Sequence, residues 1–352
     1  MSGSRPITLI PGDGIGPEVT AAACAIVEAA GVAVAWDVQP AGLAAQQATG
    51  QALGAAVFES IGRTGVALKG PTGTPFGTPY RIEVGPHAMC PETTPRVYPS
   101  VAIALRKEFD LYMNLRPIRS FPTVPSRYRD VDLLIFRENS EDLYLGRERM
   151  VDADTAEAVK VITRGATERA ARFACELMTK LGRKRLAIAH KSNVLKMTDG
   201  LFLRAAQGVA AGYPDIEVRD RVIDALCMEL VLAPERYDGL LLANLYGDIV
   251  SDLCAGLVGG LGLAPGANIG ERCAIFEAVH GTAPDIAGRD IANPMAMILS
   301  AVMMLRHLGE LDAANRIEQA LTSVLQRHDR LTPDLGGSGG TRAMAAAIIE
   351  AL

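Results

Sequence analysis

Asn244-Leu-Tyr-Gly-Asp-Ile-Val-Ser-Asp252 follows the apolar run Gly239-Leu-Leu-Leu-Ala243. The run reads as a buried strand. Gly247 is expected to turn the chain, with a helix beginning near Asp248. Residues four apart share a helix face, so Asp248 and Asp252 would project side by side. Two carboxylates held that close repel each other unless something positive lies between them. A hard divalent cation such as Mg2+ or Mn2+ takes oxygen ligands of this kind. The plainer alternative makes Asp248 a helix N-cap and Asp252 an exposed helix acid.

Working outward, strand-then-helix recurs along the chain. Ile7–Ile10 reads as a strand, Pro11–Gly16 as a tight turn and Glu18–Ala30 as a helix with Pro17 at its start. The glycines fall as Gly12-x-Gly14-x-Gly16, which is not the Rossmann spacing, although Asp37 roughly meets that fingerprint's acidic position. Ala67–Pro75 is a strand end followed by a loop of small residues. Ser100–Phe109 has helical spacing and leads into a strand ending at Arg116. Val131–Phe136 is a buried strand with Arg137 at its exit. Leu186–Ala189 precedes His190-Lys-Ser-Asn193, and Asp224 opens a helix as a good N-cap. Helices from Pro294 to His307 and from Thr341 close the chain. Alternation at both ends predicts the α/β class.

With 352 residues, one large or two ordinary domains are expected, and 49% hydrophobic residues can fill a core. A net charge of −5 argues against partners such as nucleic acid or an acidic membrane surface. The six cysteines, without Cys-x-x-Cys spacing, read as core residues in a reducing compartment. No secretory pattern opens the chain. Leu253–Gly270 is broken by Gly and Pro, and Ala292–Leu305 is short enough to be a core helix. A soluble cytoplasmic protein is expected.

Three arginines, Arg106, Arg116 and Arg137, fall at expected element ends. Their forks bind carboxylates through paired hydrogen bonds, and several converging would suit a small polyanion. Taken singly, each is more ordinarily a surface ion pair. Lys191 at a strand exit gains interest only beside such a site, where it could serve as a base. Asp130-Val-Asp132 faintly resembles the paired aspartates of a Mg2+ phosphohydrolase, but no matching downstream lysine pattern accompanies it.

Leu9–Val19, Phe136–Tyr144, His190–Phe202, Asn244–Gly270 and Phe276–Leu308 together resemble the decarboxylating β-hydroxyacid dehydrogenases, the isocitrate/isopropylmalate dehydrogenase family. They are most similar to its NAD-dependent isocitrate dehydrogenases. The resemblance implies a fold distinct from Rossmann, two α/β domains around a cleft. It assigns 1–99 and 246–352 to a large domain and 100–245 to a small one. It also implies a homodimer with shared active sites. On this reading Asp248 and Asp252, with Asp224 of the partner subunit, hold Mg2+ or Mn2+. Ser100, Arg106, Arg116 and Arg137 grip substrate carboxylates, while Tyr144 and the partner's Lys191, coupled to Asp224, handle protons. NAD contacts are implied at Lys69, Thr72, Thr74, Asn193, Glu277, His280, Gly281, Thr282, Ala283, Asp285, Ile286 and Asn293. Asp285 and Ile286 stand where phosphate-preferring relatives carry Lys and Tyr. A carboxylate there accepts from ribose hydroxyls and repels a 2′-phosphate, favouring NAD. Arg289 argues mildly the other way.

Three positions depart from the pattern. Ala102 stands where isocitrate dehydrogenases usually carry Asn, Gly73 replaces a common threonine, and Arg147 follows Gly146 where an aliphatic residue is frequent. The expected reaction is oxidative decarboxylation of isocitrate. The alternatives are an analogue (a γ-phosphonate, homoisocitrate or isopropylmalate) and a non-catalytic regulatory subunit.

Overall fold

A computed structural model describes residues 4–75, 81–87, 90, 94, 96–121 and 123–352. The chain begins with β1 (Arg5–Ile10), α1 (Gly16–Ala29), β2 (Val34–Val38), α2 (Leu43–Thr49), α3 (Ala55–Thr64), β3 (Val66–Lys69), β4 (Ile82–Val84), β5 (Arg96–Tyr98) and α4 (Val101–Glu108). The middle contains β6 (Met113–Arg119), β7 (Asp132–Glu138), a 3-10 turn (Asp142–Leu145), β8 (Glu148–Met150), β9 (Ala156–Ala158), α5 (Arg164–Lys180), β10 (Arg185–His190), α6 (Thr198–Ala210), β11 (Glu217–Val222), α7 (Ile223–Leu232), β12 (Gly239–Leu242) and α8 (Asn244–Val258). The chain then runs through β13 (Pro265–Ile269), β14 (Ala274–Ala278), α9 (Met295–His307), α10 (Leu311–Arg327) and α11 (Thr341–Glu350).

Two compact units result. Unit 1 comprises the chain through Phe109 with Phe121–Ser126 and Gly259–Leu352, and unit 2 comprises Asp110–Ser120 and Arg127–Val258. These boundaries fall later than the expected 99/100 and 245/246. Helix α4 stays with unit 1 because it packs on β4 and β5, and α8 stays with unit 2 because it packs on β6 and β7.

In unit 1 the strand order is β13-β14-β3-β1-β2. The pairs β1–β2, β1–β3 and β3–β14 are parallel, and β13–β14 is antiparallel. Helix α9 is apolar on all sides and is buried along nearly its whole length among α1, α10 and the strands, as a helix without a polar face must be. In unit 2 the order is β11-β10-β12-β7-β6, with only β6–β7 antiparallel. The central residues of β7, β10 and β12 (133–136, 186–189 and 239–242) are apolar and buried, as strands covered on both faces are. All six cysteines are free and four are buried. Among the described residues no helix is long and apolar enough to cross a membrane.

Several local expectations change. Helix α8 starts at Asn244, so Asp248 lies in its second turn and is not an N-cap. Gly247 sits inside that helix and does not turn the chain. A Cβ there would stand 2.5 Å from Arg137 Cγ, so glycine is what lets the Arg137 stem cross the helix. Arg116 lies inside β6, which runs on to Arg119, and Arg137 lies inside β7, not at its exit. Asp224 is in the first turn of α7, whose cap residue is Val222.

Candidate active site

The acidic pair is built on α8 in unit 2. Asp248 and Asp252 are one turn apart, with side chains 38% and 54% exposed. Buried arginines surround them. Arg137 donates to Asp248 and, through Nε, to Asn244 Oδ1 at 2.9 Å. Arg116 stands 3.6 Å from Asp248 and 3.4 Å from Asp252, and its Nε is fixed by Asn114 Oδ1 at 2.7 Å. The Tyr144 hydroxyl donates to the second Asp248 oxygen, and its ring lies 4.9 Å from the Arg137 guanidinium. Burial pushes the Asp252 carboxyl above its usual range. Arg116 opposes that shift, and the Asp248 charge adds to it. Five expected residues (Arg116, Arg137, Tyr144, Asp248 and Asp252) therefore meet in one cluster.

Lys191 and Asp224 form a second pair in unit 2, with Nζ 2.6 Å from Oδ1. This bond holds the exposed Asp224 carboxyl below its usual range. Asp224 does not join Asp248 and Asp252 within one chain: among the described residues, no three His, Cys, Asp or Glu side chains gather to hold a metal ion. The donor chemistry of Asp248 and Asp252 nevertheless fits a hard divalent cation. They are two adjacent oxygen donors on accessible side chains, a partial set to be completed from outside the chain.

A buried layer that the motifs did not reveal ties these parts together. Asp142, fully buried and at φ +72°, opens the turn that carries Tyr144. Its carboxylate accepts from Leu143 N at 2.9 Å and from Leu245 N, in the first turn of α8, at 3.0 Å. Lys160 Nζ lies 3.7 Å from Asp142 and 2.7 Å from Asp199, over the Tyr246 ring at 4.3 Å. Asp199 in turn accepts the Lys191 backbone N–H at 2.6 Å. One ammonium thus links the Tyr144 turn, the α8 start and the Lys191 turn. Lys160→Met leaves two buried carboxylates without their cation and is expected to cost about 3 kcal/mol of stability. The folded variant is expected to lose roughly tenfold to hundredfold in kcat through misplaced Tyr144 and Lys191. Urea unfolding and steady-state kinetics check both, and an unchanged kcat would refute the link.

Glu138 and Glu141 lie beside this layer. Burial raises both carboxyls, Glu141 to about 7 despite the N–H of Thr163 at 2.7 Å. The folded state then keeps the Glu141 proton up to about pH 7, while the unfolded chain releases it near 4.5. The folded state binds more protons in that window, so this group's contribution to stability falls as pH rises from 4.5 to 7. Glu141→Gln is expected to remove roughly 2–3 kcal/mol of pH dependence between pH 5 and 8. Urea unfolding of both proteins at the two pH values checks this, and parallel pH profiles would count against it.

Unit 1 carries the other expected residues. Lys69 is buried, donating to Glu277 at 2.6 Å and to Gly70 O at 3.1 Å. Arg106 reaches Asn268 Oδ1 at 3.0 Å and Glu277 at 3.3 Å. Burial alone would raise the Glu277 carboxyl, but Lys69 and Arg106 outweigh it and hold the group well below the usual range. Ser100 caps α4, its Oγ accepting from Ile103 N at 3.2 Å, which leaves the hydroxyl proton to donate. The loop after β3 is fastened by Asp13, which the motif reading did not single out. Its carboxylate accepts from Leu43 N, Ala44 N and Gly73 N at 2.8–2.9 Å. A Cβ at Gly73 would lie 2.6 Å from Leu43 Cδ1, a packing reason for glycine there. Thr72 is half-buried and Thr74 exposed. The glycine turn of 11–16 packs by backbone on this loop and on Thr282 O.

His280 Nε2 is buried with no hydrogen-bond partner among the described residues, and burial lowers the ring's pKa. A neutral imidazole with an unsatisfied nitrogen fits contact with a cofactor. Gly281 and Asp285 are exposed, while Thr282, Ala283 (φ +38°) and Ile286 are partly buried. Asn293 is buried. Its side chain accepts from Met295 N, the first residue of α9, at 2.9 Å and donates to Asp334 at 2.8 Å, so it ties the start of that helix to the loop of Asp334. Asn193 is exposed in the turn after β10 and belongs to unit 2, whereas the other implied NAD contacts belong to unit 1. Asp37 is occupied by Ser60 and Gln39 at 2.6 Å. Asp132, of the hydrolase alternative, is bound by Arg183 at 2.6 Å.

The family model for isocitrate/isopropylmalate dehydrogenase matches residues 6–352. The chain is 44% identical over its full length to the NAD isocitrate dehydrogenase catalytic subunit 5 of Arabidopsis thaliana, spanning 90% of that protein. It is also 44% identical, over 95% of its length and 88% of the relative's, to an NAD isocitrate dehydrogenase chain of Dictyostelium discoideum that is named as regulatory. The crystal structure of isocitrate dehydrogenase from Methylococcus capsulatus superposes with a TM-score of 0.91 at 46% identity, covering 99% of both chains. The acid–arginine–tyrosine cluster and the matches along the whole sequence agree: the chain belongs to the isocitrate/isopropylmalate dehydrogenase family.

Proposed function

We propose that this protein catalyses oxidative decarboxylation of isocitrate, or of a close 3-substituted malate, to a 2-oxo acid and CO2 with reduction of NAD. The observation that carries it is Asp248, an anion held by Arg137 and Tyr144 with Asp252 one turn away and Arg116 between them. That set offers oxygen donors to Mg2+ or Mn2+ and guanidinium forks to substrate carboxylates side by side. When bound, NAD accepts a hydride, and the cation stabilises negative charge on oxygen as CO2 departs. Lys191 takes the substrate hydroxyl proton and shares it with Asp224. Tyr144 returns a proton to the carbon that lost the carboxylate. Ser100 and Arg106 in unit 1 bind carboxylate, and the exposed Asp285 accepts from ribose hydroxyls.

The same reading includes a homodimer, in the cytoplasm, with Lys191 and Asp224 acting on the partner's substrate. Its support is the surface of α7. Asp224, Met228 and Val231 fall on one helix face, and Met228, Val231 and Leu232 are exposed, as is Ile249 on α8. A second copy covering this apolar face would carry Asp224 into the interface. The Dictyostelium relative is named as regulatory, so the activity of this chain expressed alone discriminates catalytic from regulatory roles.

An analogue is the second reading, favoured by the half-buried Ala102 between Ser100 and Arg106 on α4. NADH formation across isocitrate, homoisocitrate, 3-isopropylmalate, tartrate, malate and a γ-phosphonate analogue, with and without Mg2+, tests both. Isocitrate is expected to give the highest kcat/KM. A better analogue would move the assignment to it, and no NADH from any of them would reject the enzyme reading.

A further inference from the structure

A cavity of about 150 Å³ lies in unit 2 against the edge strand β11, lined by none of the active-site residues. Arg185, Arg219, Arg221 and Arg236 line it, opposed by Glu217 and Glu229. Residues 217, 219 and 221 alternate along β11 and so share one face of the sheet. In register, Arg185 faces Glu217 and Ala187 faces Arg219, and the small side chain at 187 leaves the space between the long ones.

Three of the arginines have acidic partners. Arg219 bonds Glu217 at 2.6 Å, Arg221 bonds Glu229 at 3.0 Å and Arg185 bonds Asp238 at 2.6 Å. Arg236 makes no ion pair among the described residues. Counting Asp238, four guanidinium groups meet three carboxylates, which leaves the charge of Arg236 in excess, in a chain whose net charge is −5. A fourth guanidinium placed beside three others is unfavourable without a counter-charge of its own. The lining has no lysine, and the forks come from β10, β11 and the segment after α7, so they approach from several sides. A tetrahedral oxyanion presents acceptors in several directions at once and matches such a set better than a planar carboxylate does. The volume is below the roughly 300 Å³ at which sites for larger organic ligands begin, yet holds several water-sized groups.

We propose that this cavity is a binding site for a small multiply charged tetrahedral oxyanion of the phosphate class. The test is thermal unfolding of the whole chain with inorganic phosphate at constant ionic strength, balanced with KCl. At tenfold above Kd, the midpoint is expected to rise by roughly 2 °C. The rise is expected to persist in Arg106→Gln, which alters the substrate arginines, and to vanish in Arg219→Gln/Arg236→Gln. That double variant is expected to keep its NADH-forming rate in phosphate-free buffer. No rise in the unmodified protein, a rise surviving in the double variant, or a rise lost in Arg106→Gln would each overturn the assignment. Should the double variant not fold, modification by phenylglyoxal decides: phosphate protects the peptides containing Arg219 and Arg236, or the site is rejected.

Discussion

Asp248→Asn is expected to lower kcat/KM for isocitrate by about 1,000-fold, equivalent to about 4 kcal/mol of transition-state stabilisation. Asparagine keeps the shape but loses the charge, and it presents an NH2 group where the carboxylate now accepts from Arg137 and Tyr144. Three effects therefore combine. The proposed cation loses a hard ligand, the Tyr144 hydroxyl loses the anion that orients it, and the buried Arg137 loses its counter-charge. Part of the rate is expected to return at high Mn2+, because a weakened site still fills at sufficient concentration. Steady-state NADH formation over a metal titration, with circular dichroism to confirm folding, measures this. A kcat/KM within tenfold of the unmodified protein, with an unchanged metal requirement, would sink the assignment of Asp248.

Lys191→Met should reduce kcat by roughly 100- to 10,000-fold, the usual range for loss of a positioned proton acceptor. Methionine keeps most of the stem's bulk while removing the amine that bonds Asp224 at 2.6 Å. KM for isocitrate is expected to change only a few-fold, since Lys191 is not among the carboxylate-binding groups. The residual rate should climb with pH as solvent hydroxide replaces the missing acceptor. The two variants together also test whether sites are shared between copies. Mixed and allowed to exchange protomers, inactive Lys191→Met and inactive Asp248→Asn form hybrids in which one of the two sites has both native residues. Random pairing then restores about a quarter of the original activity. Failure to regain activity, with exchange verified by mass, would place both residues in the site of a single copy.

The α/β class is readable because buried parallel strands are written as apolar runs such as Gly239–Leu242, and because helices like α9 carry their burial in their composition. The chemistry-bearing residues are readable through the long motifs around Tyr144, Lys191 and Asp248, since side chains that meet substrate are constrained in type and local spacing. The start of α8 is not, because Gly247 looks like a turn, and only the Arg137 stem lying on it explains a glycine inside a helix. Nothing local to Lys160, Asp142 or Asp199 marks them as partners. They are joined by burial, where a charge must find its counter-charge whatever the distance along the chain. Sequence thus determined the class of fold and named most of the groups proposed to face the substrate. Tertiary structure alone decided which acid each arginine and lysine binds, because that pairing is set by contacts between segments up to 208 residues apart.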